Sequence, residues 1–230
     1  MKIGGIQKTS LLDYPGEISA IVWTIGCNFR CPFCYNRDIV LGNVKSIPEE
    51  EFFSFLKRRK GLLDGVVITG GEPLLQDDIF DFCMKIKKMF YLVKIDTNGT
   101  FPEKLSELIE KNLIDYVAMD IKAPKNKYEK LTNVKVDIKK IEESIKILQN
   151  SKIDYEFRTT FVPELLKSND IIEIAKWLKG SKKFYLQQFK QISPMISDEI
   201  EFKPPYSNKI LIETLEEIKS YFDICEIRGI

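Results

Sequence analysis

Three of the chain's five cysteines fall close together, in Cys27-Asn28-Phe29-Arg30-Cys31-Pro32-Phe33-Cys34, while Cys83 and Cys225 lie far away in sequence. Thiols so closely spaced point to one metal site. A tetrahedral zinc site wants four Cys or His ligands, usually as two close pairs. This chain has no second pair and no histidine at all, so a closed protein-only zinc site is hard to assemble. A cubane iron–sulfur cluster takes four thiolates, one per iron. With three, one iron stays open to another molecule, which suits chemistry at the cluster better than electron storage. The missing histidines also mean that any proton transfer or metal ligation must use other side chains.

The segments around this loop alternate between strand and helix patterns. Ile18 to Ile25 is a mostly apolar strand that ends two residues before Cys27. Further strands are expected at Gly65–Thr69, Tyr91–Ile95, Tyr116–Met119, Tyr155–Val162 and Phe184–Phe189. Between them, helical spacing marks Phe52, Phe53 and Leu56, then Ile79, Cys83, Ile86 and Phe90, which makes Cys83 a small core residue. Ser46-Ile47-Pro48-Glu49 has the form of a capping box, Asp137 and Ser168 or Asn169 are expected caps, and Pro102 opens a helix. A final helix is expected from Asn208 to Phe222, with one last edge strand at Ile224–Ile227. Such alternation argues for an α/β fold on a parallel sheet. Six units are too few for a closed eightfold barrel, so a partial (β/α)6 TIM-like barrel is expected. One domain over 1–230 is expected, with a core of about 18–191, an N-terminal turn segment 1–17 and a C-terminal helix and tail 205–230.

A formal net charge of +1 gives no electrostatic case for nucleic acid or an anionic membrane as partner. No apolar run approaches a membrane span, there is no signal-peptide pattern, and clustered reduced thiols imply the cytoplasm. The basic run Lys57-Arg58-Arg59-Lys60 suits a solvated helix end.

Several strand ends carry polar residues, and in parallel α/β folds functional groups collect at the carboxyl ends of strands. Gly70-Gly71-Glu72-Pro73 permits close backbone approach, and its carbonyls and Glu72 can accept bonds from an ammonium group; a plain strand–helix turn is the other reading. Alternation puts Asp120 and Lys122, on either side of Ile121, on one face, where they line a lumen; an inward ion pair or a solvated strand end is the other reading. Asp96 and Asn98 suit ribose hydroxyls, although Asn98-Gly99 equally suits a turn. Arg158 holds a carboxylate if it points inward and is a surface residue if it points out.

Cys-x3-Cys-x2-Cys with an aromatic residue before the last Cys, followed by Gly-Gly-Glu and Asp-x-Lys, resembles the radical S-adenosylmethionine (SAM) superfamily. The resemblance implies a partial barrel, and one 4Fe-4S cluster on Cys27, Cys31 and Cys34 whose open iron chelates SAM. Reduction then cleaves SAM to methionine and a 5′-deoxyadenosyl radical. It also implies SAM contacts at Phe33, Cys34 and Tyr35, at Gly70, Gly71 and Glu72, at Asp96 and Asn98, at Asp120, Ile121 and Lys122, and at Arg158. The opening from Gly5 to Asp13-Tyr14-Pro15-Gly16, with Cys-Asn-Phe-Arg-Cys-Pro-Phe-Cys-Tyr-Asn, looks like the activating enzyme of anaerobic ribonucleotide reductase. Enzymes of that type leave a radical on a backbone glycine of a partner, so a glycyl radical enzyme is the implied partner, with flavodoxin or ferredoxin as electron donor. Activases of pyruvate formate-lyase carry a His after the last barrel strand, where this chain has Lys190. A small-molecule enzyme of the deazaguanine-synthase kind and a zinc-binding interaction module are the alternatives.

Overall fold

The computed structural model describes residues 1–198 and 203–230. Its frame is an eight-stranded sheet in sequential order: β1 (Ile3–Ser10), β2 (Ser19–Thr24), β3 (Gly65–Gly70), β4 (Leu92–Thr97), β5 (Tyr116–Asp120), β6 (Asp154–Phe161), β7 (Lys183–Gln188) and β8 (Ile224–Arg228). From β2 to β8 every pair is parallel, and β1 runs antiparallel along the outer side of β2. The edge strands β1 and β8 do not pair, so the barrel is partial, as expected.

Helices make the crossovers: α1 (Arg37–Leu41) and α2 (Glu49–Arg58) before β3, α3 (Ile79–Lys88) before β4, and α4 (Pro102–Glu110) before β5. α5 (Tyr128–Thr132) and α6 (Ile138–Asn150) precede β6, α7 (Ser168–Trp177) precedes β7, and α8 (Asn208–Ile218) precedes β8. Strand residues pointing outward, such as Val22, Ile68, Ile95, Val117 and Phe157, meet the apolar stripes of these helices in one core that includes Phe52, Phe82, Cys83 and Ile141. Fully burying one such side chain stabilises the fold by about 1.5–3 kcal/mol. A smaller cluster of Tyr14, Ile21, Val67 and Tyr116 fills part of the lumen.

Four expectations need correction. The segment 1–17 is not only turns, because Ile3–Ser10 is a strand. Its Gly-Gly pair hides any alternation, yet close packing favours glycine there, since a Cβ at Gly4 would lie 2.9 Å from Cγ1 of the Ile25 side chain. The parallel series has seven strands, because Ile224–Arg228 pairs in register with β7. Two caps also differ. Ser46 does not cap α2, whose N-cap position is Pro48, and α7 starts after Lys167, whose amide donates to Asp170 at 2.8 Å. The Asp137 cap is observed, with Oδ1 accepting from the Lys139 amide at 3.1 Å.

Candidate functional site

Alternation along the strands turns Trp23, Thr69, Asp96, Asp120, Arg158, Thr160, Gln187 and Arg228 toward one cavity of about 440 Å³ at the carboxyl ends of the parallel strands. That size lies in the range of small-molecule sites. The β2–α1 loop closes one end of the cavity, and Cys27, Cys31 and Cys34 all line it, with Phe29, Phe33 and Tyr35 beside them. Phe33 is nearly buried, whereas Tyr35 is 53% exposed at the mouth.

The cysteine loop is tied down from several directions. Arg30 Nη1 donates to the carbonyls of Cys27 and Phe29 at 2.6 and 2.7 Å, and the Arg30 amide donates to Thr132 O at 2.9 Å. The amides of Ile196 and Ser197 donate to the carbonyls of Cys34 and Pro32 at 3.1 and 3.0 Å. Asn28 Nδ2 donates to Thr100 Oγ1 and accepts at Oδ1 from Asn98 Nδ2, both at 2.8 Å. Asn98 is thus committed to bridging two loops, and Oδ1 of its amide takes the Thr100 amide and hydroxyl at 3.0 and 2.6 Å. The turn reading of Asn98-Gly99 accounts for it: Gly99 has φ +77° and a Cβ there would meet Met119 Cε at 2.0 Å.

All three thiols are free of disulfides. Burial pushes Cys27 up to about 11 and Cys31 up to about 12 and raises Cys34, while Lys122 opposes the rise at each. Metal binding at these positions therefore has to displace protons. A tetrahedral zinc ion needs its sulfurs about 4 Å apart. Among the described residues no three Cys, Asp or Glu side chains converge for a metal ion. Three free thiols that line one cavity supply the donor chemistry of an iron–sulfur cluster.

Glu72 lines the cavity but is fully buried, and its carboxylate is already occupied by protein donors. Oε1 accepts from the Leu74 amide at 3.0 Å and from Thr97 Oγ1 at 2.7 Å, and Oε2 accepts from the Asn98 amide at 2.8 Å. Burial pushes Glu72 up to about 7 against the donors of Asn98, Thr97 and Leu74. Its carboxylate caps the short 3-10 turn Pro73–Leu75 and binds the end of β4 to the end of β3. Replacing it by Ala strands two buried amides, so Glu72→Ala is expected to cost about 3 kcal/mol or more. Urea unfolding measures this, and a loss under 1 kcal/mol would show that the lock is dispensable.

Opposite the cysteines lies a run of charges. Arg158 Nε donates to Asp120 Oδ1 at 2.8 Å and Nη1 to Asp96 Oδ2 at 3.2 Å, and Lys122 Nζ donates to Asp120 Oδ2 at 3.0 Å. Lys94 pairs with the other oxygen of Asp96. Arg158 therefore points inward, and among the described residues its Nη2 makes no hydrogen bond, which leaves a donor for a ligand carboxylate. Burial by itself would raise Asp120, but Arg158 and Lys122 outweigh it and hold the carboxyl well below the usual carboxylate range. A native value depressed in this way contributes stability above the unfolded value of 3.8, and that stability is lost as pH falls further. The stability gap between the wild-type chain and Asp120→Asn is therefore expected to be constant near neutrality and to close below about pH 4. Unfolding curves from pH 2 to 7 check this.

Ile121 contributes backbone only. Its side chain is fully buried outside the cavity, its amide donates to Arg158 O and its carbonyl accepts from Thr159 Oγ1, both at 2.8 Å. Lys190 does line the cavity, at the place where the resemblance would put a His. Lys94 and Glu156 were missed, although each is two residues from a predicted site residue on the same strand face. Arg228 and Asn28 carried no local signal.

A family model described as the radical SAM superfamily matches residues 21–178. A protein of Methanocaldococcus jannaschii, named provisionally as a glycyl-radical enzyme activating enzyme, is 37% identical over 99% of this chain and 96% of its own length. A 7-carboxy-7-deazaguanine synthase of Thermoplasma acidophilum is 33% identical over 65% of this chain and 69% of its own. The pyruvate formate-lyase-activating enzyme of Listeria monocytogenes is 32% identical over 53% of each chain. Among solved structures, SuiB of Streptococcus suis bound to its precursor peptide superposes with a TM-score of 0.68 at 16% identity, over 90% of this chain. This chain spans 47% of that protein, and the likeness is one of fold.

Proposed function

Because this chain belongs to the radical SAM superfamily, we propose that it is an activase that abstracts hydrogen from a backbone glycine of a partner enzyme, the anaerobic ribonucleotide reductase. The observation that carries this is the meeting, in one cavity, of three free thiols with a charged wall of Asp96, Asp120, Lys122 and Arg158. The near full-length match to a relative named as an activating enzyme supports the choice of reaction.

On this reading Cys27, Cys31 and Cys34 hold a single 4Fe-4S cluster and the remaining cavity holds SAM. Together, once bound and reduced by flavodoxin or ferredoxin, they supply carbon-radical chemistry. The protein binds and positions. Lys122, 20% exposed, and the Arg158 Nη2 each offer one charged donor to the SAM carboxylate. The carbonyls of Gly70 and Gly71 accept from its ammonium, and Phe33 flanks its base. Glu72 acts behind this contact, holding the Gly-Gly turn and the β4 loop in place. Trp23, Phe29, Val40 and Ile196 line the cavity with apolar surface and exclude water. With no histidine in the chain, and Glu72, Asp96 and Asp120 all engaged, no side chain is assigned as general acid or base. None of the described helices is long and apolar enough to cross a membrane, and a reducing cytoplasm suits the thiols.

The test is anaerobic reconstitution, reduction with dithionite, and assay for 5′-deoxyadenosine, followed by electron paramagnetic resonance with the candidate reductase added. A glycyl radical on the reductase supports the reading in full. Cleavage of SAM without any protein radical would point to a small-molecule substrate instead, and tightly bound zinc without SAM cleavage would end the enzyme reading.

A further inference from the structure

Arg228 stands on β8, outside the segment shared with the family model, yet it lines the same cavity as the cysteines. Its Nη1 and Nη2 donate to Glu156 Oε1 and Oε2 at 2.6 and 2.9 Å, and its guanidinium lies 3.3 Å from the centroid of the Tyr185 ring. Glu156 is fully buried and takes a third bond, from Tyr116 Oη at 2.8 Å.

The consequence concerns Arg158. Its guanidinium lies within reach of three carboxylates, Asp120 at 2.8 Å, Asp96 at 3.2 Å and Glu156 at 3.9 Å. Asp96 and Asp120 line the cavity, whereas Glu156 is sealed beneath it. A buried carboxylate without a partner attracts the nearest cation strongly, because little solvent screens the pair. Lys94 also faces Glu156 but is nearly buried and held by Asp96, whereas Arg158 already stands 3.9 Å from Glu156 Oε1, so Arg158 is the group placed to move. Arg228 removes that pull by engaging both oxygens of Glu156 in fork geometry from the sheet edge.

The geometry points to Arg228 as a positioning residue: by neutralising Glu156 it keeps the Arg158 guanidinium on Asp96 and Asp120, where it serves the cavity. Loss of Arg228 lets Arg158 turn down toward Glu156. The orientation of Arg158 follows from these contacts alone, while its service to SAM rests on the function proposed above.

Two readouts separate these parts. The first is the Nε–Hε resonance of Arg158 in protein carrying 15N-arginine without iron, assigned by its absence in Arg158→Lys. It is expected to shift or broaden in Arg228→Gln and to return in the double variant Glu156→Gln/Arg228→Gln, where nothing is left to neutralise. Glu156→Gln by itself should leave it in place, and Arg228→Lys, with the charge but no fork, should fall between and covers the case in which Arg228→Gln does not fold. The second readout is SAM affinity of the iron-loaded protein by calorimetry. Arg228→Gln is expected to weaken it by about tenfold, the effect of one charge-assisted contact, with recovery in the double variant. An unmoved resonance in Arg228→Gln, or a double variant that stays displaced, overturns the inference. A wild-type protein that binds no SAM overturns the functional reading instead, and the resonance still decides the link between Arg228 and Arg158.

Discussion

Replacing Cys31 by Ser is expected to abolish iron loading and, with it, all SAM cleavage, while the iron-free fold stays intact. Cys31 is the most buried of the three clustered thiols, at 6% exposure, and lines the cavity with Cys27 and Cys34. With no histidine and no second cysteine pair, the chain has no local replacement ligand. The same result is expected for Cys27 and Cys34. Cys83 is the internal control: it is fully buried on α3, outside the cavity, so Cys83→Ala should lower the melting temperature and leave the iron count unchanged. Iron and sulfide analysis after anaerobic reconstitution, with 5′-deoxyadenosine yield, checks both arms. Full iron retention in Cys31→Ser would remove the cysteine loop from the site.

The second large effect is expected at Gly71. Its amide donates to Thr24 O and the Glu72 amide donates to Gly26 O, each at 2.9 Å, so the Gly-Gly turn lies directly against the backbone leading into Cys27. A Cβ on Gly71 would stand 1.8 Å from Gly26 O and 2.5 Å from Gly26 C. Both obstacles are backbone, so no side chain can swing aside. Overpacking that must shift main chain costs about 3 kcal/mol or more. Gly71→Ala is therefore expected to lose that much in urea unfolding. It should also load iron poorly, because the displaced chain is the start of the cysteine loop. Gly61 supplies the comparison, since it has φ +78° and a Cβ there would meet nothing within 4 Å. Gly61→Ala should cost only the left-handed strain of about 1–2 kcal/mol. Equal stability of the two variants would mean that the turn relaxes without cost.

These two cases show how differently the site was legible in the sequence. The cysteine spacing announces its chemistry because three thiols close in sequence can reach one centre whatever the surroundings. Asp120 and Lys122 follow from the two-residue period of a strand, whereas the direction of Arg158 stays open until the pairing of β5 with β6 sets it beside Asp120. Glu72 was legible as part of a motif but not in its role. Its partners, Thr97 and Asn98, come from the end of a different strand, and only the parallel pairing of β3 with β4 sets them beside it. The ribose reading of Asn98 met the same limit, since Asn28, 70 residues earlier, takes its amide.

Local chemistry therefore determined the cluster of thiols, the alternation of strands and helices, and which residues share a face within one strand. All of these depend on spacings within one segment. The tertiary structure decided what long-range pairing controls: the antiparallel β1, the seventh parallel strand β8, and the arrival of Arg228 at Glu156 across 72 residues of chain. The physical reason is that a buried charge takes its partner from whichever strand the sheet register sets alongside it, and strand register is a property of the assembled sheet.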